Sequence, residues 1–150
     1  MRLFGHPIHV MLIHFPIALW PAHEALHAFA PLLPPGVSAT AGFWLLASGT
    51  VLGWFAAFFG ASDLLMLWAA EDRAKFRAGL IHGVINGTVL LGFTGALAFE
   101  YLDYPHIAHG AGFLIAEGAL LVAMIVGNYF GGEVVWPATN DKPPPQSSRL

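Results

Sequence analysis

The chain has 150 residues, 57% hydrophobic and 10% charged, against roughly 25% charged in a soluble domain; one domain is all that length suits, and so few charges cannot coat a water-facing surface. A formal net charge of -3, with no basic stripe, argues against a nucleic-acid partner. The absence of cysteine excludes disulfides, thiolate metal sites, iron–sulfur ligation and covalent c-type haem.

Four apolar runs, at about 7–33, 41–70, 77–102 and 109–135, predict four transmembrane helices. Each exceeds the roughly 20 residues that cross a bilayer core. The first run is the least regular. Pro16, Pro21 and Pro31 interrupt it, and it carries His14, His23, Glu24 and His27. Proline inside a helix removes a hydrogen bond and bends it, so the first helix is expected to be kinked. A cleaved signal peptide is the rival reading, from Arg2 and the Ala28-Phe29-Ala30 triplet, but the polar residues spoil its apolar centre.

Leu33-Pro34-Pro35-Gly36 signals a turn, Glu71 to Arg77 a polar connection, and Asp103-Tyr104-Pro105-His106 a break. The second run carries Gly49, Gly53, Ala56 and Gly60, a small-residue stripe that lets helices approach closely and that ends in Asp63. The fold class expected is all-α, an integral membrane four-helix bundle over residues 1–135. Residues 136–150, with three consecutive prolines, read as a disordered cytoplasmic tail. With four spans, Arg2, Arg73, Lys75, Arg77, Lys142 and Arg149 all fall on one side. The positive-inside rule then places both termini in the cytoplasm, and the protein in a bacterial inner membrane.

Ionisable residues inside a bilayer default to a functional reading, because each costs at least about 2.5 kcal/mol to insert. His14, Asp63, His82 and Asn86 come from three helices yet fall at one depth, about 7–15 Å below the cytoplasmic surface. His14 shares a face with Ala18, Ala22 and Ala25, read as the inward side of the first helix. His6, His9 and Glu133 lie at the same end. Two imidazoles from separate helices suit a b-type haem, with Asp63 and Asn86 orienting them. The same groups suit non-haem iron or zinc, a proton relay, or a hydrogen-bonded cluster that only fixes helix register.

A second cluster lies at the other end. His23, His27, His106 and His109, with Glu24, Glu100 and Asp103, could bind a metal. His23 is nine residues from His14, however, on the opposite side of a straight helix, so His23 is expected to face a partner or the interface. Glu117 in the fourth run is expected to face the bundle interior.

Gly5-His6-Pro7-Ile8-His9 and Leu12-Ile13-His14-Phe15-Pro16-Ile17-Ala18-Leu19 resemble an uncharacterised bacterial membrane family, catalogued as domain-of-unknown-function family 2231. Asp63, His82-Gly83-Val84-Ile85-Asn86 and Gly131-Gly132-Glu133-Val134-Val135 fit the same pattern, with Trp136 where Tyr is common. The resemblance covers about residues 4–136. It implies four membrane helices and a site among His6, His9, His14, Asp63, His82, Asn86 and Glu133. Redox modules accompany some such domains, which tilts the expectation toward electron transfer. The leading expectation is therefore a redox-associated membrane protein with haem b between helices one and three, on His14 and His82. Its partners would be the lipid bilayer, a redox protein and other subunits or copies of itself. The alternatives are a non-catalytic anchor or subunit of a larger complex, and a metal or proton transporter.

Overall fold

The computed structural model describes residues 2–3 and 6–135, with side chains from Ile8 onward. The expected tail from Trp136 lies outside the described residues, as does the side chain of His6. Two-residue strands β1 (Arg2–Leu3) and β2 (His6–Pro7) pair antiparallel. Four helices follow: α1 (Ile8–Ala28), α2 (Val37–Ala69), α3 (Arg73–Asp103) and α4 (Ala111–Val135).

Local chemistry sets the ends of these helices. α1 stops short of Leu33, because Pro31 falls in a separate 3-10 turn over Ala30–Leu32 and Leu33 is extended ahead of Pro34, as a residue before proline prefers. α2 starts at Val37, after Gly36 turns the chain at φ 81°. The polar connection is shorter than expected, since Arg73 to Arg77 already form the first turn of α3. Asp72 makes that turn possible by accepting a hydrogen bond from the Lys75 N–H at 3.2 Å.

The helices form a closed ring in which sequence neighbours are spatial neighbours. α1 lies antiparallel along α2, joined at three levels. His9 Nδ1 donates to Ala56 O at 2.7 Å, Trp20 Nε1 to Thr50 Oγ1 at 3.3 Å, and His23 Nδ1 to Gly42 O at 3.1 Å. Trp54 Nε1 donates to Thr94 Oγ1 at 3.1 Å and ties α2 to α3. His82 Nδ1 donates to Gly127 O at 2.9 Å and ties α3 to α4. His23 and Glu117 close the ring from α1 to α4. α1 and α3 stand diagonally, and their large side chains meet on the bundle axis. There Trp20 stacks on Phe93, with ring centroids 4.3 Å apart and planes 16° apart. Around this stack Leu46, Val89, Leu90, Ala96 and Met124 complete the core.

Most of the remaining apolar surface faces outward. Trp44, Phe58, Leu65, Val84, Leu91, Ile115 and Ile125 are each more than half exposed. A surface so apolar suits hydrocarbon rather than water. By length and composition α2, α3 and α4 are able to cross a membrane. α1, with 21 residues, is long enough at 1.5 Å per residue for about 30 Å. It is not among those three spans, because five ionisable residues and two prolines dilute its apolar content.

Candidate metal centre

The inward face of α1 carries Pro16, Trp20, His23 and His27, all buried. Their spacing of four, three and four residues is a core stripe, extended seven residues back to His9. α3 presents Asn86, Val89, Phe93, Ala96 and Glu100 at the same kind of spacing, and α4 presents Glu117, Leu120, Met124 and Gly127. At one end of the bundle these three stripes finish in ionisable side chains. The loop between α3 and α4 adds His109, held in place by Ile107, which is buried against Ala39 and Phe43.

The result is a buried group of three imidazoles and two carboxylates. One donor atom from each of His23, His27, His109 and Glu100 lies within 4.8 Å of the others. His109 Nε2 is 2.8 Å from Glu100 Oε1, His23 Nε2 is 3.5 Å and His27 Nε2 is 3.7 Å from it. Glu117 Oε1 is 3.1 Å from His23 Nε2, and its other oxygen 3.7 Å from His109 Nδ1. The rings of His27 and His109 stack at 3.9 Å. Because a carbonyl oxygen can only accept, the bond to Gly42 O puts the proton of His23 on Nδ1 and turns Nε2 toward Glu117 and Glu100.

Apart from the bond between His23 Nε2 and Glu117 Oε1, proximity has not become pairing. His27 Nε2, both nitrogens of His109, both oxygens of Glu100, Glu117 Oε2 and Glu24 Oε2 are buried and make no hydrogen bond. Even the 2.8 Å approach of His109 to Glu100 lacks hydrogen-bond alignment. An orphaned buried polar atom costs about 1–3 kcal/mol, so a cluster built only to fix helix register would not leave so many. Donors each about 2.1 Å from one ion stand about 3.4 Å apart in a tetrahedral site. Donor atoms that lie within 4.8 Å of one another would therefore close by up to about 1.4 Å around one cation. Nitrogen and carboxylate oxygen together suit zinc or non-haem iron.

The sequence profile of a family described as "Predicted membrane protein (DUF2231)" matches residues 5–139. The chain belongs to the DUF2231 family. Membership agrees with the outward apolar surface and the three spanning helices, and puts the protein in contact with a lipid bilayer. No curated protein and no solved structure matches it.

In this DUF2231 chain the residues singled out from the sequence separate into two ends. His23, His27 and His109 join the centre just described, whereas His106 is exposed. His23 therefore corrects the expectation that it faces a partner or the interface, since it is fully buried. The straight-helix argument chose the alanine side of α1 as inward, but the stripe of Trp20, His23 and His27 is the side that packs. For the same reason His14 is exposed. Among the described residues no hydrogen bond or ion pair joins it to His82; α1 presents His9 there instead, 6.0 Å from His82 between ring centroids. Asn86 Nδ2 donates to His82 O at 3.2 Å, within its own helix. Asp63 and Glu133 are half-buried on α2 and α4. Glu117 faces the bundle interior as expected, and is buried. Glu100 was legible only as a neighbour of histidines; following the α3 stripe one heptad past Phe93 reaches Glu100.

Proposed function

We propose that this protein is an integral membrane metalloprotein that holds one transition-metal ion, iron or zinc, on His23, His27, His109 and Glu100, with Glu117 beside them. The observation that carries this reading is the set of buried nitrogen and oxygen atoms on His27, His109 and Glu100 that converge with His23 Nε2 without hydrogen-bonding one another, the one bond in the group being from His23 to Glu117. A dication would also offset carboxylate charge that is costly in a low-dielectric interior. Iron would make the centre a one-electron site and keep the redox role; zinc would make it structural or a Lewis acid. A b-type haem on His14 and His82 has less support, because haem needs both rings turned to one cavity and His14 is turned outward.

The basic residues at the start of α3 are at the other end of the bundle from this centre. With the positive-inside rule, the centre sits in the non-cytoplasmic half of a cytoplasmic membrane. Elemental analysis of the detergent-purified protein tests the proposal. The expected result is at least one iron or zinc per chain, with one ion per chain fewer in His27→Gln and Glu100→Gln proteins that still run as folded species on size exclusion. Metal-free wild-type protein from iron- and zinc-replete cells, unable to take up either ion on addition, would refute it.

A further inference from the structure

The two helical hairpins, α1–α2 and α3–α4, repeat one another. His9 and His82, Trp20 and Phe93, and His27 and Glu100 are each 73 residues apart. Each pair meets between α1 and α3: the first two by their rings, at 6.0 and 4.3 Å, and the third at 3.7 Å from Nε2 to Oε1. On the outer helices Ala56 and Gly127, and Gly60 and Gly131, are each 71 residues apart. They do matching work. His9 Nδ1 donates to Ala56 O and its ring lies over Gly60, where an added Cβ would stand 2.8 Å from Cε1. His82 Nδ1 donates to Gly127 O and its ring lies over Gly131, where an added Cβ would stand 2.6 Å from Nδ1. A pseudo-twofold axis thus runs between α1 and α3. The His/Glu centre straddles one end of it, and the His9–His82 pair straddles the other.

The chemistry of that pair is fixed by its anchors. His9 Nδ1 meets a carbonyl oxygen, which only accepts, and at His82 Nδ1 the contact to Gly127 O, 2.9 Å, is shorter than that to Asn86 Nδ2, 3.2 Å; each neutral ring is thereby assigned its proton on Nδ1 and its lone pair on Nε2. This is the tautomer of a metal-binding imidazole whose other nitrogen is tied to a backbone carbonyl. The rings stand edge to face at 85° with centroids 6.0 Å apart. Two imidazoles sharing one ion through Nε2, at about 2.0–2.1 Å each, have centroids about 5–6.4 Å apart. Both side chains are half-buried.

We propose that His9 and His82 form a second metal site, on the pseudo-twofold axis at the opposite end from the His/Glu centre, taking a single imidazole-preferring ion of the zinc or copper(II) class. This site rests on different residues from the centre proposed above. Between the two lies the apolar Trp20–Phe93 layer.

Zinc titration of the full chain in detergent tests the proposal. The expected result is two zinc ions per wild-type chain. His9→Gln and His82→Gln should each bind one fewer ion and retain the other, and His27→Gln should show the reverse loss. Should His82→Gln fail to fold, as judged by thermal melting, His9→Gln applies the same test from α1. Unchanged stoichiometry and affinity in folded His9→Gln or His82→Gln protein would overturn it. Failure of the His/Glu centre alone would show differently: His27→Gln would leave zinc binding unchanged while His9→Gln lowered it.

Discussion

Gly42→Ala changes no ligand, yet it should disable the His/Glu centre. A methyl group there would collide with His27 Nε2, would stand 2.9 Å from His27 Cδ2, and would come within 3.5 Å of His23 Nδ1. Ordinary carbon contacts are about 3.5–4.0 Å, so the His27 ring must retreat by about an ångström or α2 must move off α1. A metal bond tolerates only about 0.2 Å, so His27 would leave the coordination sphere. Loss of an orienting contact weakens metal binding by about 10–100-fold, and loss of a ligand should reach the upper end of that range. Overpacking adds about 1–3 kcal/mol of destabilisation in the metal-free protein. Competition with a chelator of known affinity, alongside thermal melting in detergent, reads both effects. Gly95→Ala is the control, since nothing lies within 4 Å of its added Cβ. A Gly42→Ala protein with wild-type metal affinity and melting temperature would refute the geometry assigned to His27.

His109→Ala should abolish high-affinity metal binding and His106→Ala should leave it intact, because the first ring is buried in the centre and the second is exposed; a chelator titration of each separates them. Phe93→Ala removes a fully buried ring from the Trp20 stack and should destabilise the bundle by about 3–5 kcal/mol, read as a fall in melting temperature. The backbone hydrogen bond from Lys75 holds the Asp72 carboxyl below the usual carboxylate range. A carboxyl with a lowered folded-state pKa stabilises above its unfolded pKa, and that contribution is lost as pH falls through the folded value. The melting-temperature gap between wild type and Asp72→Asn should therefore be constant near neutral pH and close in acid.

Much of the fold was legible because membrane insertion is governed by run length and apolarity. The all-α bundle and the turn at Pro34-Pro35 follow from those alone. Facing was harder. On α1 two stripes compete, Ala18, Ala22 and Ala25 against Trp20, His23 and His27, and small residues suggested close approach. The structure chose the larger side chains, because Gly42 and Gly49 on α2 supply the room that His27 and Trp20 fill. Depth pointed to His82 and Asn86, and to His14 rather than His9, although His9 and His14 differ by five residues and therefore by most of a half-turn around the helix, and His9 is the one that meets His82. Glu100 was visible as an acid of the second cluster, but its place near a predicted loop hid its inward facing. Only the register of α3 carries it inward, one turn beyond Ala96.

In the proposed centre, three imidazoles and a carboxylate hold a metal inside this bundle. X-ray absorption on the zinc- or iron-loaded His82→Gln protein, which keeps only the His/Glu centre, tests it most directly. The expected result is a nitrogen and oxygen shell at about 2.0–2.2 Å with the outer-shell scattering of three imidazoles, reduced to two when His27→Gln is added. A purely oxygen shell without imidazole scattering, or no bound metal at all, would contradict it.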